Sequence, residues 1–591
     1  SGNEHLKREM EVSIAAGEIV GLLYDAFAKQ YADPTSERAM KSLNVLCVRL
    51  VFCLYAEDAG IFGGRGMFHD YLAEFDARKM RRAITDLFKI LDTKLEDRDP
   101  YLKDDFPELA AFPYVNGGLF ANEDIEIPPF TDEIRDLLLT KASSDFDWSE
   151  ISPTIFGAVF ESTLNPETRR SGGMHYTSIE NIHKVIDPLF LDELKAEFEE
   201  IRNIAVKRTR ERKLQDFQKK LSTLTFLDPA CGSGNFLTET YLSLRRLENE
   251  ILQELQGGQM VLGYDNMNPI QVSISQFYGI EINDFAVTVA KTALWIAESQ
   301  MMKETETIIS IPLNFLPLKT NAYIMEGNAL RTDWETIVPK SKLNYIMGNP
   351  PFLGGMYMSE IQKGEIRSIF PDVTGAGEFD YVTGWYCKAT EYISSKNIHC
   401  AFVSTNSICQ GSQVITFWKY LIEHYHVHID FAYTPFVWNS EAKSQAKVHC
   451  VIVGFSRTMS SNNCRLFSSA GNYKQCAQIS PYLTDSPVVF VESRSTPICN
   501  VPKMRFGSMP RDGGGFILTA EEKTALLQSE PLAAQWIRPY VGATEFLNSK
   551  ERYCLWLVGA DPGEINKCPT VKKRVEFVRD FRASSKAAAT R

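Results

Sequence analysis

A short apolar segment that runs into a glycine turn restricts the fold of this chain more than any other stretch. Residues 224–237 read LTFLDPACGSGNFL, in which the apolar run ends at Asp228 and a helical pattern follows Gly232 and Gly234. Such a strand, glycine turn and helix lets a ligand touch backbone at the carboxyl end of a parallel strand. The turn is a poor dinucleotide fingerprint, because Leu237 occupies the third glycine position. A carboxylate beside a glycine turn instead suits a ligand that carries an ammonium group.

A second apolar segment ends in a proline turn further along the chain. Residues 343–352 read LNYIMGNPPF, a buried-strand pattern that stops at Asn349, Pro350, Pro351 and Phe352. The prolines remove backbone donors and restrict the chain, so the Asn349 side-chain oxygen and the Pro350 carbonyl form two fixed acceptors. Two acceptors suit one planar NH2 group, and Phe352 offers a flat face to a ring. A strand followed by an ordinary Pro-Pro turn explains the same letters, and both interpretations stay open for this motif alone.

The two motifs, in this order, resemble motifs I and IV of the gamma-class amino-methyltransferases, which transfer methyl from S-adenosylmethionine to adenine in DNA. The resemblance implies that Asn349, Pro350, Pro351 and Phe352 hold an adenine that has left the duplex, while its amine attacks the sulfonium methyl in line. It also implies S-adenosylmethionine as the cofactor and double-stranded DNA with a flipped adenine as the partner. No metal is needed for this step.

Further matches to that class concern the cofactor. Residues 173–178 read GMHYTS and resemble motif X, while residues 277–282 form a strand pattern ending in Glu281, which would take both ribose hydroxyls. Residues 327–330 resemble motif III, where many relatives carry Asp and this chain carries Asn328. The residues assigned to cofactor binding are Tyr176, Thr177, Asp228, Ala230, Gly232, Gly234, Glu281, Ile282, Asn328 and Ala329.

A narrower resemblance is to the MmeI-like group of restriction-modification enzymes, in which methyltransferase, helical spacer and DNA-recognition domain share one chain. It is carried by YVNGGLF at 114–120, FGSMPRDGG at 506–514 and RYCLWL at 552–557, besides the motifs above. This resemblance covers nearly the whole chain and implies a nuclease domain in the full-length protein. Because Ser1 stands where an initiator Met is expected, we interpret the sequence as an expressed fragment of a longer chain.

Alternating strand and helix patterns from about residue 166 to 480 indicate a doubly wound parallel sheet. The predicted fold class is α/β: a Rossmann-like, S-adenosylmethionine-dependent methyltransferase with a seven-stranded sheet, an amino-terminal all-α spacer and a carboxyl-terminal α+β recognition region. The predicted domains are residues 1–165 (spacer), 166–480 (catalytic domain) and 481–591 (start of the target-recognition domain, truncated).

The seven predicted strands are Leu224–Leu227, Phe277–Ile282, Ala322–Met325, Tyr345–Met347, Cys400–Ser404, Ile429–Tyr433 and Val448–Phe455. The last two strands are expected to form an antiparallel edge. Phe436 or Trp438, in the loop between them, is a candidate for the second wall of a base pocket, although either also fits the core.

Charge separates the spacer from the rest of the chain. Residues 1–165 hold 17 Lys or Arg and 30 Asp or Glu, which gives them a net charge of −13. The net charge of the whole chain is −12, so residues 166–591 together carry +1. A basic cluster at Lys572, Lys573, Arg574, Arg579 and Arg582 is a candidate for phosphate contact. A second cluster, between residues 207 and 220, fits a solvated helix face.

The predicted location is cytoplasmic, without a membrane partner. No uninterrupted apolar run approaches the roughly 20 residues of a membrane span, and Leu43–Tyr55, the most apolar stretch, contains Arg49 and is predicted as a buried helix. The twelve cysteines include no CxxC pair, which favours reduced thiols and argues against a metal site.

Two alternatives remain at the sequence level. The NPP signature also serves methyltransferases that act on cytosine N4, on RNA or on a protein glutamine amide. From another class, the chain could be a DNA-recognition and cofactor-binding subunit of a larger nuclease. Methyl transfer would distinguish an enzyme from such a subunit, because the subunit would bind cofactor without transferring methyl.

Overall fold

The amino-terminal residues fold into helices, as their long strandless patterns predict. The computed structural model describes all residues except 1, 116–117, 122–123, 165–176, 257–268, 311–312, 314–320, 394–397, 438–448, 458–462, 491, 493, 495, 503–506, 508 and 586. The chain forms two compact units, Ser1–Glu492 and Ser493–Arg591. The helical region and the large sheet belong to the same unit, and the division into three domains stays a prediction.

The first unit contains helices before, between and beside its strands. Its α-helices are Gly2–Ala28, Glu37–Asp58, Met67–Ala73, Ala77–Leu91, Leu102–Asp105, Pro107–Ala110, Asp132–Asp136, Pro153–Leu164, Ile179–Ile186, Asp192–Arg202, Lys207–Thr223, Asn235–Gln256, Asp284–Ile309, Glu360–Ile369, Thr383–Tyr392 and Gln413–Tyr425. Two π-helical turns are Leu137–Ser144 and Asp187–Leu191. Short 3-10 turns are Leu95–Asp97, Trp148–Glu150, Ile274–Gln276, Trp334–Thr336, Ala376–Glu378 and Asn406–Ile408.

The helix Glu37–Asp58 forms the centre of the helical region. Ser36 caps its first turn by accepting a hydrogen bond from the Ala39 N–H. Among the described helices this is the one long and apolar enough to cross a membrane, and 83% of its apolar window is buried inside the protein. Arg49 is buried too, and its guanidinium donates to the carbonyls of Leu119 and Ala121. The predicted buried helix is therefore confirmed, because its one charged interruption is satisfied by backbone acceptors.

All seven predicted strands form, in a sheet that is larger than predicted. The strands are β1 (Phe226–Asp228), β2 (Phe277–Glu281), β3 (Tyr323–Glu326), β4 (Tyr345–Gly348), β5 (His399–Thr405), β6 (His428–Val437), β7 (His449–Ser456), β8 (Cys464–Phe467) and β9 (Tyr473–Cys476). Their order is β3-β2-β1-β4-β5-β7-β6-β8-β9. The prediction of seven strands was too low, because β8 and β9 extend the sheet beyond β6.

The direction of the strands creates a crevice at the carboxyl ends of the parallel strands. Neighbours from β3 to β5 are parallel, whereas β7 is antiparallel to both β5 and β6. The predicted antiparallel pair is therefore correct, but its position at the sheet edge was wrong, since β6 also pairs with β8. The order reverses between β1 and β4, and such a switch point leaves a crevice at the carboxyl ends of parallel strands.

The second unit is a small α+β fold, as predicted. Its strands β10 (Ile517–Leu518), β11 (Ile537–Pro539) and β12 (Tyr553–Leu555) form an antiparallel sheet with β12 in the middle. Its helices are Ala520–Ser529, Ala543–Asn548, Pro562–Ile565 and Pro569–Ala583, with a 3-10 segment at Pro531–Trp536. Its core is built from Leu518, Leu526, Ala533, Trp536, Leu555, Cys568 and Val571.

A fully buried ion pair stabilises the helix that follows the glycine turn. The Arg245 Nε lies 3.0 Å from the Glu248 Oε2, and both side chains are inaccessible to solvent. The other carboxylate oxygen of Glu248 accepts hydrogen bonds from Gln218 Nε2 and from the Gln271 and Val272 N–H groups. Glu248 thus joins the helix to two other segments of the first unit.

We predict that Glu248→Ala lowers the free energy of unfolding of the first unit by about 3–5 kcal/mol, because it leaves Arg245 buried without its counter-ion. The matched control is Asp86→Ala, which removes the exposed Arg82–Asp86 pair, also within one helix but four residues apart instead of three. The control is expected to cost about 0.5 kcal/mol or less. Urea unfolding of both variants measures the difference, and equal effects would contradict the prediction.

Candidate active site

The ends of β1 and β4 approach each other closely at the switch point. Phe226 is in register with Tyr345, and Leu227 with Ile346, so β1 ends one residue later at Asp228 and β4 ends two residues later at Gly348. A Cβ atom on Gly348 would lie 2.4 Å from Asp228 Oδ1, which only glycine avoids. This contact brings the glycine turn and the proline turn to the same place, as the sequence predicts for one site.

The glycine turn is held by the acid at the end of β2. Gly232 and Gly234 have φ angles of 52° and 83°, in the left-handed region that glycine adopts without strain. The Gly232 N–H donates to Glu281 Oε2 at 2.9 Å, and the Asn283 N–H donates to Glu281 Oε1 at 3.0 Å. Glu281 therefore stands at the turn with both oxygens oriented, while Ile282 beside it is 68% exposed.

An open cleft of about 1310 Å³ runs past these residues. Its lining includes Gly232, Glu281 and Ile282 together with Met40 and Lys41 of the helix Glu37–Asp58. The helical region thus contributes a wall to the candidate cofactor site. A bidentate carboxylate, exposed apolar surface and side-chain-free backbone fit the ribose, adenine and methionine parts of S-adenosylmethionine.

Asp228 is almost fully buried beside this cleft. Its Oδ1 accepts a hydrogen bond of 3.0 Å from the Ala230 N–H. Burial, together with the nearby Glu281 carboxylate, nevertheless raises the pKa of Asp228 to about 8. A cationic group placed against Asp228 would favour its ionised form, which is the role expected for a ligand ammonium.

Asn328 is fixed by a carboxylate that the sequence analysis did not single out. Its Oδ1 accepts from the Leu330 N–H at 2.9 Å, and its Nδ2 donates to Glu365 Oε1 at 2.9 Å. Glu365 is buried and also accepts hydrogen bonds from Arg331 and Tyr381. These contacts set the orientation of the Asn328 amide. Glu365 lies 37 residues away on an amphipathic helix, where no local pattern marks it.

Ala329 and Tyr176 do not add to the observed site. Ala329 is buried in the core, and its carbonyl accepts from Trp334 Nε1 at 2.9 Å. Tyr176 lies outside the described residues. The roles of these two residues in cofactor binding stay predictions.

The proline turn places an unpaired acceptor at the carboxyl end of β4. The Oδ1 atom of Asn349 is buried and has no hydrogen-bond partner in the described part of the chain. Its Nδ2 lies 3.5 Å from Thr177 Oγ1, so the predicted cofactor-binding threonine does meet the predicted catalytic asparagine. A buried oxygen without a partner is unfavourable in the free protein. The arrangement therefore suits a ligand that donates a hydrogen bond.

The other residues of the turn surround Asn349. Pro350 is buried, Pro351 is exposed, and Phe352 is half-buried, packed against the core on both sides of the sheet. Asp380, a second residue that the sequence analysis missed, is buried and accepts from the Leu353 N–H at 2.9 Å. It also accepts from the Thr405 hydroxyl at the end of β5. Asp380 thereby fixes the exit from the proline turn.

A charged network fastens the helix that follows Thr177. His183 Nδ1 lies 2.7 Å from Asp187 Oδ1, and its Nε2 lies 3.1 Å from Glu239 Oε1. Burial opposes protonation of the imidazole, but these two carboxylates outweigh burial and raise the pKa of His183 to about 9. Glu239 belongs to the helix after the glycine turn, so the network joins the segment at Thr177 to that helix.

Phe436 and Trp438 were the two candidates for the second wall of the base pocket, and the structure describes one of them. Phe436 is a buried residue of β6 rather than a loop residue, and Lys184 Nζ lies 5.3 Å from its ring centre. β6 is longer than predicted, which explains the difference. Trp438 lies outside the described residues.

Comparisons with known proteins give consistent matches along the chain. Three family models match: MmeI, helicase spacer domain, over residues 41–120; MmeI, DNA-methyltransferase domain, over residues 204–468; and MmeI, target recognition domain, over residues 485–591. The solved structure of the type IIL restriction-modification enzyme MmeI in complex with DNA is 40% identical, with a TM-score of 0.83. That match covers 98% of this chain and 75% of the MmeI chain.

A curated relative gives a similar result. DNA methyltransferase A of Bacillus subtilis is 38% identical over 586 residues. The match covers 98% of this chain, which spans 64% of the length of the relative.

We predict that binding of S-adenosylhomocysteine, the methyl-free form of the predicted cofactor, strengthens by about tenfold from pH 6 to pH 7, because Asp228 must lose its proton to face the ligand ammonium. Titration calorimetry in buffers of different ionisation enthalpy should show release of a proton. The isosteric control Asp228→Asn is expected to bind more weakly and without this pH dependence. An affinity that does not change with pH would contradict the assignment.

Proposed function

Because the chain belongs to the MmeI family, we propose that it is the modification part of a type IIL restriction-modification enzyme and transfers methyl from S-adenosylmethionine to the N6 amine of a flipped adenine in DNA. The buried, unpaired Oδ1 of Asn349 at the carboxyl end of β4 is the observation that carries this proposal.

Asn349 and Pro350 act on the target amine. An exocyclic amine has two hydrogens in one plane, and its lone pair is delocalised into the ring, which makes it a weak nucleophile. The Asn349 oxygen and the Pro350 carbonyl accept these two hydrogens and leave the lone pair free to attack. Phe352 supports the ring by stacking, and its packing on both sides restricts its movement. The catalysis is positioning together with stabilisation of developing positive charge.

The cofactor residues Asp228, Glu281 and Asn328 stand at or just after the ends of β1, β2 and β3, all on one side of β4. When bound, S-adenosylmethionine supplies an electrophilic methyl group. Glu281 would take the ribose hydroxyls, Asp228 the ammonium group, and Asn328 the adenine amine. Thr177, which adjoins Asn349, connects the methionine end of the cofactor with the target amine. The amine loses its proton to water after transfer, and we assign no general base.

The second unit contributes DNA contact through part of its basic cluster. Arg574 donates to the carbonyls of Gly515 and Ile517, and Arg582 donates to that of Pro510, so both hold their helix in place. Lys572 and Lys573 are exposed on the same helix. We assign phosphate contact to these two lysines. A nuclease in the full-length protein and a cytoplasmic location remain part of the proposal.

We predict that Asn349→Ala reduces methyl transfer to unmethylated genomic DNA by about a hundredfold or more, by analogy with the loss of one transition-state hydrogen bond. Cofactor affinity should be kept. Thermal stability should change little, because the lost oxygen has no partner in the free protein and the lost amide nitrogen makes only a 3.5 Å contact with Thr177 Oγ1. Transfer of labelled methyl, followed by nucleoside analysis, measures the effect and identifies the product base.

Asn344→Ala is the matched control, at the residue immediately before the same strand. Asn344 Oδ1 accepts from the Thr225 N–H at 2.9 Å, so its loss should lower stability while methyl transfer continues. Methylcytosine, or methyl in RNA or protein, as the product would contradict the N6-adenine proposal. Cofactor binding without any transfer, by this chain and by the full-length protein, would instead support a recognition subunit.

We predict that Lys572→Ala with Lys573→Ala weakens duplex DNA binding and reduces the salt dependence of log K by about 2, since each lost phosphate contact removes close to one unit of slope. Fluorescence anisotropy at several salt concentrations gives the slope. The control Lys213→Ala with Lys219→Ala removes two exposed lysines from the helix Lys207–Thr223, where we assign a solvated face. Equal changes in both variants would contradict the assignment.

A further inference from the structure

The turn directly after the catalytic motif carries two apolar side chains into solvent. In Gly354–Tyr357, Met356 is 88% exposed and Tyr357 is 76% exposed. A single exposed apolar side chain is ordinary on a protein surface, but two adjacent ones at a turn tip form a small apolar patch that a partner could cover. The turn begins two residues after Phe352, so this partner contacts the protein beside the candidate active site.

The turn is fixed where it leaves the active site. The Leu353 N–H donates to Asp380 Oδ1, and the Leu353 carbonyl accepts from the Tyr381 N–H, both at 2.9 Å. Within the turn, the Tyr357 N–H donates to the Gly354 carbonyl at 2.8 Å. Gly355 packs so tightly that a Cβ atom there would lie 2.6 Å from the Glu378 carbonyl oxygen. These contacts hold the backbone of the turn in place without a partner.

The far end of the turn is fixed as well. Met358 is 5% exposed and anchors the chain in the core. Ser359 and Gln362 form a reciprocal capping box that starts the helix Glu360–Ile369. Met356 and Tyr357 thus stand on a rigid support, which reduces the conformational entropy that binding would remove.

The position of the turn identifies its partner. Asn349 and Met356 are seven residues apart, a span of at most about 25 Å, and both follow the carboxyl end of β4. A duplex that delivers an adenine to Asn349 must lie against this same edge of the sheet. Two side chains form a patch far smaller than the roughly 800 Å² that each partner buries in a stable protein complex. Their size suits the gap that one extruded base leaves in a duplex.

We propose that Met356 and Tyr357 enter the DNA at the position vacated by the target adenine and replace the stacking that the extruded base loses. This inference rests on the proposed function. Extrusion of a paired base requires unstacking and unpairing, which apolar and aromatic side chains inserted between base steps offset. The turn therefore stabilises the flipped state and acts on methylation without contacting the reacting atoms.

The test compares two DNA substrates that differ in the free-energy cost of extruding the target adenine. The recognition sequence is first read from methyladenine positions in genomic DNA treated with the unaltered protein. Single-turnover methyl transfer is then measured on two short duplexes. The first has thymine opposite the target adenine, and the second has an abasic site in place of that thymine. The variant is Met356→Ala with Tyr357→Ala. The control, Leu95→Ala with Tyr101→Ala, removes a similar pair of side chains, each 68% exposed, from the helical region.

We expect the turn variant to transfer methyl about tenfold more slowly on the paired duplex and within about twofold of the unaltered protein on the abasic duplex. Its cofactor affinity should be unchanged, which separates the effect from misfolding. The conservative pair Met356→Leu with Tyr357→Phe should keep the rate, and the control should behave as the unaltered protein.

Two results would overturn the inference while the proposed function stands: an unchanged rate on the paired duplex, or an equal loss on both duplexes with cofactor binding intact. A concentration-dependent dimer that the turn variant abolishes, with methylation unchanged, would assign the patch to a second copy of the chain. Absence of methyladenine with both the unaltered chain and the full-length protein would refute the proposed function itself.

Discussion

The close approach of β1 and β4 is the constraint on which the candidate site depends. Asp228 occupies the space that any side chain at residue 348 would need, so the ends of the two strands meet at the point where strand order reverses. The glycine turn leaves one strand and the proline turn leaves the other. Cofactor residues and target residues are therefore neighbours because one glycine permits the contact. A side chain at residue 348 would press against Asp228 and so separate the two halves of the site.

Several polar groups in this region are satisfied by the fold, whereas the buried oxygen of Asn349 is left for a ligand. Glu365 orients Asn328, Asp380 holds the exit of the proline turn, and the carboxylates around His183 fasten the helix after Thr177. Asn349 differs, since its buried oxygen has no partner among the described residues. A site whose supporting groups are already bonded keeps its geometry before substrate arrives, and such preorganisation is what positioning catalysis requires.

Much of this arrangement could be predicted from the sequence, because strand periodicity and turn residues are local signals. All seven predicted strands form, and Asp228, Glu281 and Asn349 stand at strand ends as expected. The hairpin of β8 and β9 was missed because its strands, CRLF and YKQC, mix polar with apolar residues and show little alternation. Glu365 and Asp380 could not be predicted, since their roles depend on contacts with residues that are distant in sequence. The contribution of the helix Glu37–Asp58 to the cofactor cleft has the same tertiary origin.

The central claim is that Asn349 Oδ1 and the Pro350 carbonyl accept hydrogen bonds from the amine of an extruded adenine. A crystal structure of the protein with a non-transferring cofactor analogue and a duplex containing its recognition sequence tests this claim most directly. The account predicts an adenine outside the duplex, with its N6 about 2.7–3.2 Å from both Asn349 Oδ1 and the Pro350 carbonyl oxygen. An adenine that remains stacked in the duplex, or an Asn349 oxygen bonded to the cofactor instead, would contradict it.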